Sequence, residues 1–287
     1  MLIYGIATIV LIVIYIVLSM MSRHQYDEFV EEFKDRYPLM FMAPVSLHII
    51  TKLKIMERMH SQIAVIQQKM VSLYGSKHAL KNTWMFTAQL VSVGYLCIIG
   101  SFCMALLTNG DHTLFGVGCF FSILIPIFLV NQLSNQERER KNKILLELPE
   151  LVNKIILLVN AGETVQQALI RCVELNNNED SPLYEELRYA ANRLTSNEAF
   201  TTVLNDFSKK CSIQDVAIFT TTVLLNYRKG GNELILSLRE LSHDLWEKRK
   251  NLSKTKGEEA SSKLVFPLML IFVAIMIIVG FPALTIM

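Results

Sequence analysis

Residues 148–169 read LPELVNKIILLVNAGETVQQAL. Leu148, Leu151, Val152, Ile155, Ile156 and Val159 recur at the three-and-four spacing that lays one apolar stripe along an α-helix. Ala161-Gly162 closes that helix, because glycine accepts the left-handed conformation of a helix C-terminus. Thr164, with Gln167 three residues on, has the capping-box spacing that opens the next helix. Its Val165, Ala168, Leu169, Cys172 and Val173 share a face. The stretch predicts a helical hairpin with one apolar side to bury.

Outward from this hairpin the chain is too apolar for an ordinary soluble domain. Of 287 residues, 52% are hydrophobic and 19% charged, and the mean hydropathy is +0.35. Four uncharged runs carry the excess: Leu2 to Leu18, Met85 to Leu107, Leu114 to Val130, and Leu264 to Met287. Each is long enough to cross a bilayer. The first lacks the basic leader and small-residue cleavage pattern of a signal peptide, so it reads as an uncleaved anchor. The second and third are joined by residues 108–113, of turn composition, and form a predicted transmembrane hairpin with Pro126 in its second arm. The expected segments are spans at 1–22, 84–133 (a pair) and 264–287, with polar segments at 23–83 and 134–263 between them.

Charge orients this layout. Residues 23–83 hold nine Lys and Arg and residues 134–263 hold nineteen, which together are all 28 in the chain. The opposite side has none, and Asp111 is its one acidic residue. The positive-inside rule therefore puts both polar segments in the cytoplasm and both termini outside. In the first polar segment, residues 38–50 are apolar but too short to span and predict a packed or interfacial helix, residues 51–68 predict a solvated one, and Gly75 a break.

The 134–263 segment has helical apolar spacing throughout and predicts an all-α bundle of about six helices. Ser181-Pro182 is an N-cap and first-turn pair ahead of Leu183, Leu187, Ala190, Ala191 and Leu194. Thr195 with Glu198, and Ser212 with Asp215, have capping-box spacing ahead of further apolar helices. Gly230-Gly231 predicts a break before Leu234, Leu238, Leu241 and Leu245. Gly162, Asn197 and Gly231 each lie six residues before a buried-type pair, at offsets of 35 and 34, which suggests either a threefold repeat or three ordinary helix boundaries. The last helix either breaks near Gly257 or runs on into the fourth span as a helix of about 50 residues, roughly 80 Å long. Lys248, Arg249 and Lys250, with Lys254 and Lys256, sit just ahead of that span as a topology and headgroup signal or as a partner-docking face.

Several chemistries are missing. There is no phosphate-binding glycine loop, no H-E-x-x-H, and the six histidines are scattered. His243 and Asp244 are adjacent, so on a helix they diverge. Five cysteines show neither C-x-x-C spacing nor a close framework. The uncharged spans disfavour a channel or transporter, which needs intramembrane ionisable groups. No catalytic, cofactor or metal site is expected. A membrane-anchored sensor with a ligand-binding helical domain is the alternative from another class.

The sequence resembles the type II secretion F-domain family. The resemblance rests on LPELVNKIILLVNAGETVQQAL (148–169), NYRKGGNELILSLRELSHDLWEKR (226–249) and GEEASSKLVFPLMLIFVAIMIIVGFPAL (257–284). The motif positions are Leu148, Pro149, Gly162, Ala168, Leu169, Gly230, Gly231 and Pro267. Asn197 stands where the family usually has a glycine. One F domain after a transmembrane pair and before a single span looks most like the TadC-type platform of the tight-adherence (Tad) pilus. The resemblance implies a non-enzymatic scaffold in the cytoplasmic (inner) membrane. Its implied partners are a hexameric assembly ATPase, pilin subunits, a second F-domain protein or another copy of itself, and the bilayer, with no nucleic acid and no cofactor.

Overall fold

A computed structural model describes residues 2–22, 40–107, 112–176, 180–227 and 231–286. Every regular element among them is helical. The chain divides into two compact units, Met1–Arg140 and Lys141–Met287.

In the first unit, α1 (Leu2–Ser22) is the first apolar run. A 3₁₀ turn (Met40–Met42) leads into α2 (Ala43–Lys52), whose Pro44 lies in the first turn, where its missing N–H costs nothing. Ala43, Leu47 and Ile50 of α2 pack on Met85 and Ala88, so the apolar patch is a packed helix. The expected polar stretch at 23–39 lies outside the described residues. A one-turn α3 (Ile55–Arg58) precedes α4 (His60–Leu107). Gly75 interrupts α4 at φ 74°, ψ 162°, so the predicted break is real and the helix is two segments meeting at that residue. Ile66 and Met70 before the break and Ala79 and Phe86 after it bury one cluster with Leu133.

α5 (His112–Asn160) begins with the third apolar run and ends with the first arm of the predicted hairpin, passing Pro126 and Pro149 without interruption. His112 and Thr113 are therefore helical, while the rest of the predicted turn, 108–111, lies outside the described residues. The expected boundary at 133/134 falls inside this helix.

In the second unit, the end of α5, α6 (Val165–Glu174), α7 (Pro182–Thr195), α8 (Phe200–Cys211), α9 (Gln214–Asn226) and the start of α10 (Gly231–Ile286) surround one apolar core. Leu148, Leu169, Leu183, Phe207 and Phe219 are among its fully buried side chains. Neighbours α6 and α7, α7 and α8, α8 and α9, and α9 and α10 pack in sequence order, the antiparallel pattern that short connections impose.

Two predicted caps hold and two do not. Thr164 accepts from the Gln167 N–H at 3.2 Å and the Gln167 side chain accepts from the Thr164 N–H at 3.1 Å. Ser181 accepts from the Tyr184 N–H at 3.2 Å. Thr195 instead ends α7, its hydroxyl turned back to the Ala191 carbonyl, and Ala199 stands at the N-cap of α8 with no side-chain hydrogen bond. Ser212, at φ 53°, ends α8 and donates to the Lys209 carbonyl, while Asp215 lies inside α9. In both failures a left-handed residue falls within the four-residue box, so its first hydroxyl serves the outgoing helix.

α10 runs 56 residues without a break, so Gly257 is an ordinary helical position. Its last buried core residue is Leu245, and every described side chain from Ser253 to Ile278 is exposed.

Candidate functional site

The hairpin ends are the most regular feature of the second unit. After α5, the Gly162 N–H donates to the Val159 carbonyl at 3.0 Å and the Glu163 N–H to the Leu158 carbonyl at 3.1 Å. With Gly162 at φ 98°, this is a Schellman closure. After α7 the same pair recurs: Asn197 N–H to Leu194 at 3.1 Å and Glu198 N–H to Arg193 at 3.1 Å, with Asn197 at φ 60°. Asparagine is the side chain that best tolerates this region after glycine, so Asn197 does stand at a break. Gly162 and Asn197 each lie three residues before the next helix begins. Gly231 is instead the first residue of α10, so the third copy is shifted, and Gly230 lies outside the described residues.

Since α10 starts at the same end of the bundle as these tips and leaves at the other, the loops at 161–164 and 196–199 face away from its apolar half. Both tips carry a glutamate after the left-handed residue, and an arginine holds each. Arg171 donates to Glu163 at 2.7 Å. Arg193 donates to Glu198 at 2.8 Å and to Asp206 at 2.8 Å, tying α7 to α8. The Arg193 hydrogen bond holds the Glu198 carboxyl below the usual glutamate range. Lys210 adds a second tie, its ammonium 3.2 Å from the centre of the Tyr189 ring.

The motif residues are mostly core. Leu148, Ala168 and Leu169 are buried, and truncating such a leucine costs about 2–5 kcal/mol. Pro149 is buried within α5, and Pro267 lies in the exposed apolar half of α10. The basic trio is occupied: Lys248 pairs with the nearly buried Asp215 of α9, Arg249 lies 4.8 Å over the Trp246 ring, and Lys250 pairs with Glu247 at 2.6 Å. Ser242 of α10 donates to Asn153 of α5 at 2.6 Å. These cross-helix pairs escape sequence reading, because no periodicity relates residues 33 or 89 positions apart. Burial pushes the Cys172 thiol up to about 11, so it is a packing group with little thiolate. Among the described residues, no three His, Cys, Asp or Glu come together as a metal site.

Four helices are long and apolar enough to cross a membrane, and two of them carry the helical bundle's first and last members. The chain is thus an all-α, polytopic membrane protein. Residues 151–282, nearly half of it, match the family model for type II secretion system (T2SS), protein F. That match supports the F-domain family, and with the four apolar helices it indicates a multi-pass inner-membrane protein of the platform class used by type II secretion and type IV pilus systems. No curated protein and no solved structure matches the chain.

Proposed function

We propose that this chain is the TadC-type platform of a tight-adherence pilus, a non-enzymatic scaffold that couples a cytoplasmic hexameric ATPase to the extraction of pilin subunits from the bilayer. The observation that carries the reading is continuity. α10 joins a bundle helix to an apolar, membrane-length stretch with no break between. Force applied to such a bundle is passed along a hydrogen-bonded rod, whereas a flexible linker would dissipate it. The charge distribution supports a cytoplasmic bundle with both termini outside. The segment boundaries at 22/23, 83/84, 133/134 and 263/264 belong to this proposal, with a second F-domain protein or another copy completing the platform.

The test is an affinity pull-down of the full chain from membranes of the native host, paired with deletion of its gene. Recovery of a motor ATPase and pilin, with loss of surface filaments in the deletion strain, is the expected result. Normal filament assembly without the chain overturns the proposal.

A further inference from the structure

The first unit contains a half-open groove of about 460 Å³ between the two segments of α4, with one wall from α5. Ile63, Val65 and Ile66 line it from before the Gly75 break, Leu90 and Val91 from after it, and Val130 from α5. Leu90 and Val91 belong to the second apolar run and Val130 ends the third, so the groove lies at the margin of two candidate spans, on the side that the topology proposed above, on which this inference rests, makes cytoplasmic.

A polar pair lies next to the groove, one turn outside its lining. Lys69 lies one turn beyond Ile66 on α4, and Ser134 one turn beyond Val130 on α5. The Lys69 ammonium donates to the Ser134 hydroxyl at 2.6 Å, and that hydroxyl donates onward to the Val130 carbonyl at 2.9 Å. Among the described residues, Lys69 meets this neutral hydroxyl and no carboxylate. A lysine ammonium has three donors, so a cation with unused donors stands one turn beyond the apolar lining.

We propose that this groove binds one glycerophospholipid of the cytoplasmic leaflet, with an acyl chain along the apolar walls and the phosphate on Lys69. The polarity runs the right way, because the apolar lining adjoins the spans and the Lys69 ammonium lies towards the polar segment. Charge separates this occupant from an apolar partner helix, which has no anion to offer the Lys69 ammonium, whereas a phospholipid brings a phosphate. Volume and lining fall in the range of ordinary small-ligand sites, mostly apolar with one or two placed polar groups.

The experiment uses the full chain in phosphatidylcholine vesicles doped with a phosphatidylglycerol that bears a photoactivatable diazirine on its acyl chain. Label is expected to concentrate on residues 59–66, 87–91 and 130, and to be competed by unlabelled phosphatidylglycerol. Lys69→Glu should lower capture there about tenfold, the scale of one lost charge-assisted contact, while Lys69→Arg retains it. Val65 is 50% exposed, so Val65→Trp adds bulk to the groove without entering the core and should also block capture. Unchanged thermal melting of both variants separates lost binding from lost folding. Label spread evenly over the spans and indifferent to both variants overturns the site. Capture that an apolar transmembrane peptide displaces, and that ignores Lys69, overturns it in favour of a helix-docking groove.

Discussion

Gly162 and Asn197 occupy the same left-handed position at the ends of α5 and α7, and each aims two backbone donors at the carbonyls of the outgoing helix. At Gly162 an added Cβ meets nothing within 4 Å, so the cost of substitution there is conformational, about 1–2 kcal/mol, and greatest for a β-branched residue. Gly162→Val should therefore lower the thermal stability of the full chain in detergent, whereas Gly162→Asn should cost distinctly less, since the second hairpin already uses asparagine. Equal melting of Gly162→Val and wild type would show that the closure carries no strain.

Glu198, next to Asn197, supplies a pH test. Its carboxyl is held down in the folded state, chiefly by Arg193. The stabilisation is then complete above the ordinary glutamate value and disappears as pH falls through the lowered folded one. Between about pH 6 and about pH 3, the wild type should lose more stability than Arg193→Ala, and salt should narrow the gap because the pair is exposed. Parallel pH profiles for the two proteins would remove Glu198 from the account.

Among the elements, α4 and α5 come into close contact at Gly118. A Cβ there would lie 2.3 Å from the Ser101 Cβ and 2.8 Å from its Cα, while one at Gly116 would meet nothing. Gly118→Ala must push the helices apart and should reduce membrane abundance and melting temperature; Gly116→Ala should leave both near wild type. This is the small-residue contact by which membrane helices gain packing where lipid gives no hydrophobic drive. Helix identity was largely legible in the sequence, because apolar spacing and uncharged length are local properties. Helix ends were legible only where the capping side chain had no competitor. Thr164 and Ser181 cap as expected, but Thr195 and Ser212 turn back to the helix before them because Asn197 and Ser212 take the left-handed turn. The candidate site was legible as core positions such as Leu148 and Leu169, and not as the pairs Arg193 with Asp206 or Lys248 with Asp215. Those depend on which helix faces meet, which no single segment encodes.

At the scale of the whole bundle, Asp215 is a buried charge that depends on one partner. Its side chain is 12% exposed and its partner Lys248 is 53% exposed. Breaking a fully buried pair costs about 3–5 kcal/mol, and the solvent reaching Lys248 reduces that to roughly 1–2 kcal/mol. Lys248→Ala should destabilise the bundle by about that much, and Asp215→Asn in the same chain should recover most of it, since no uncompensated charge is then left between α9 and α10. A double variant no more stable than Lys248→Ala would place the effect in lost packing of the lysine stem.

The hydrogen bond from Ser242 to Asn153 spans 89 positions and joins the bundle's first helix to its last. Contacts of neighbouring helices can form as the chain lengthens, but the ring cannot close until residues 234–245 exist, shortly before the final apolar run is made. During synthesis α5 and α9 therefore keep an open apolar seam until residues 234–245 have been made. The stretch most exposed to misassembly or chaperone capture is a nascent chain ending between about 230 and about 250, after most of the core has been synthesised and before its last wall arrives.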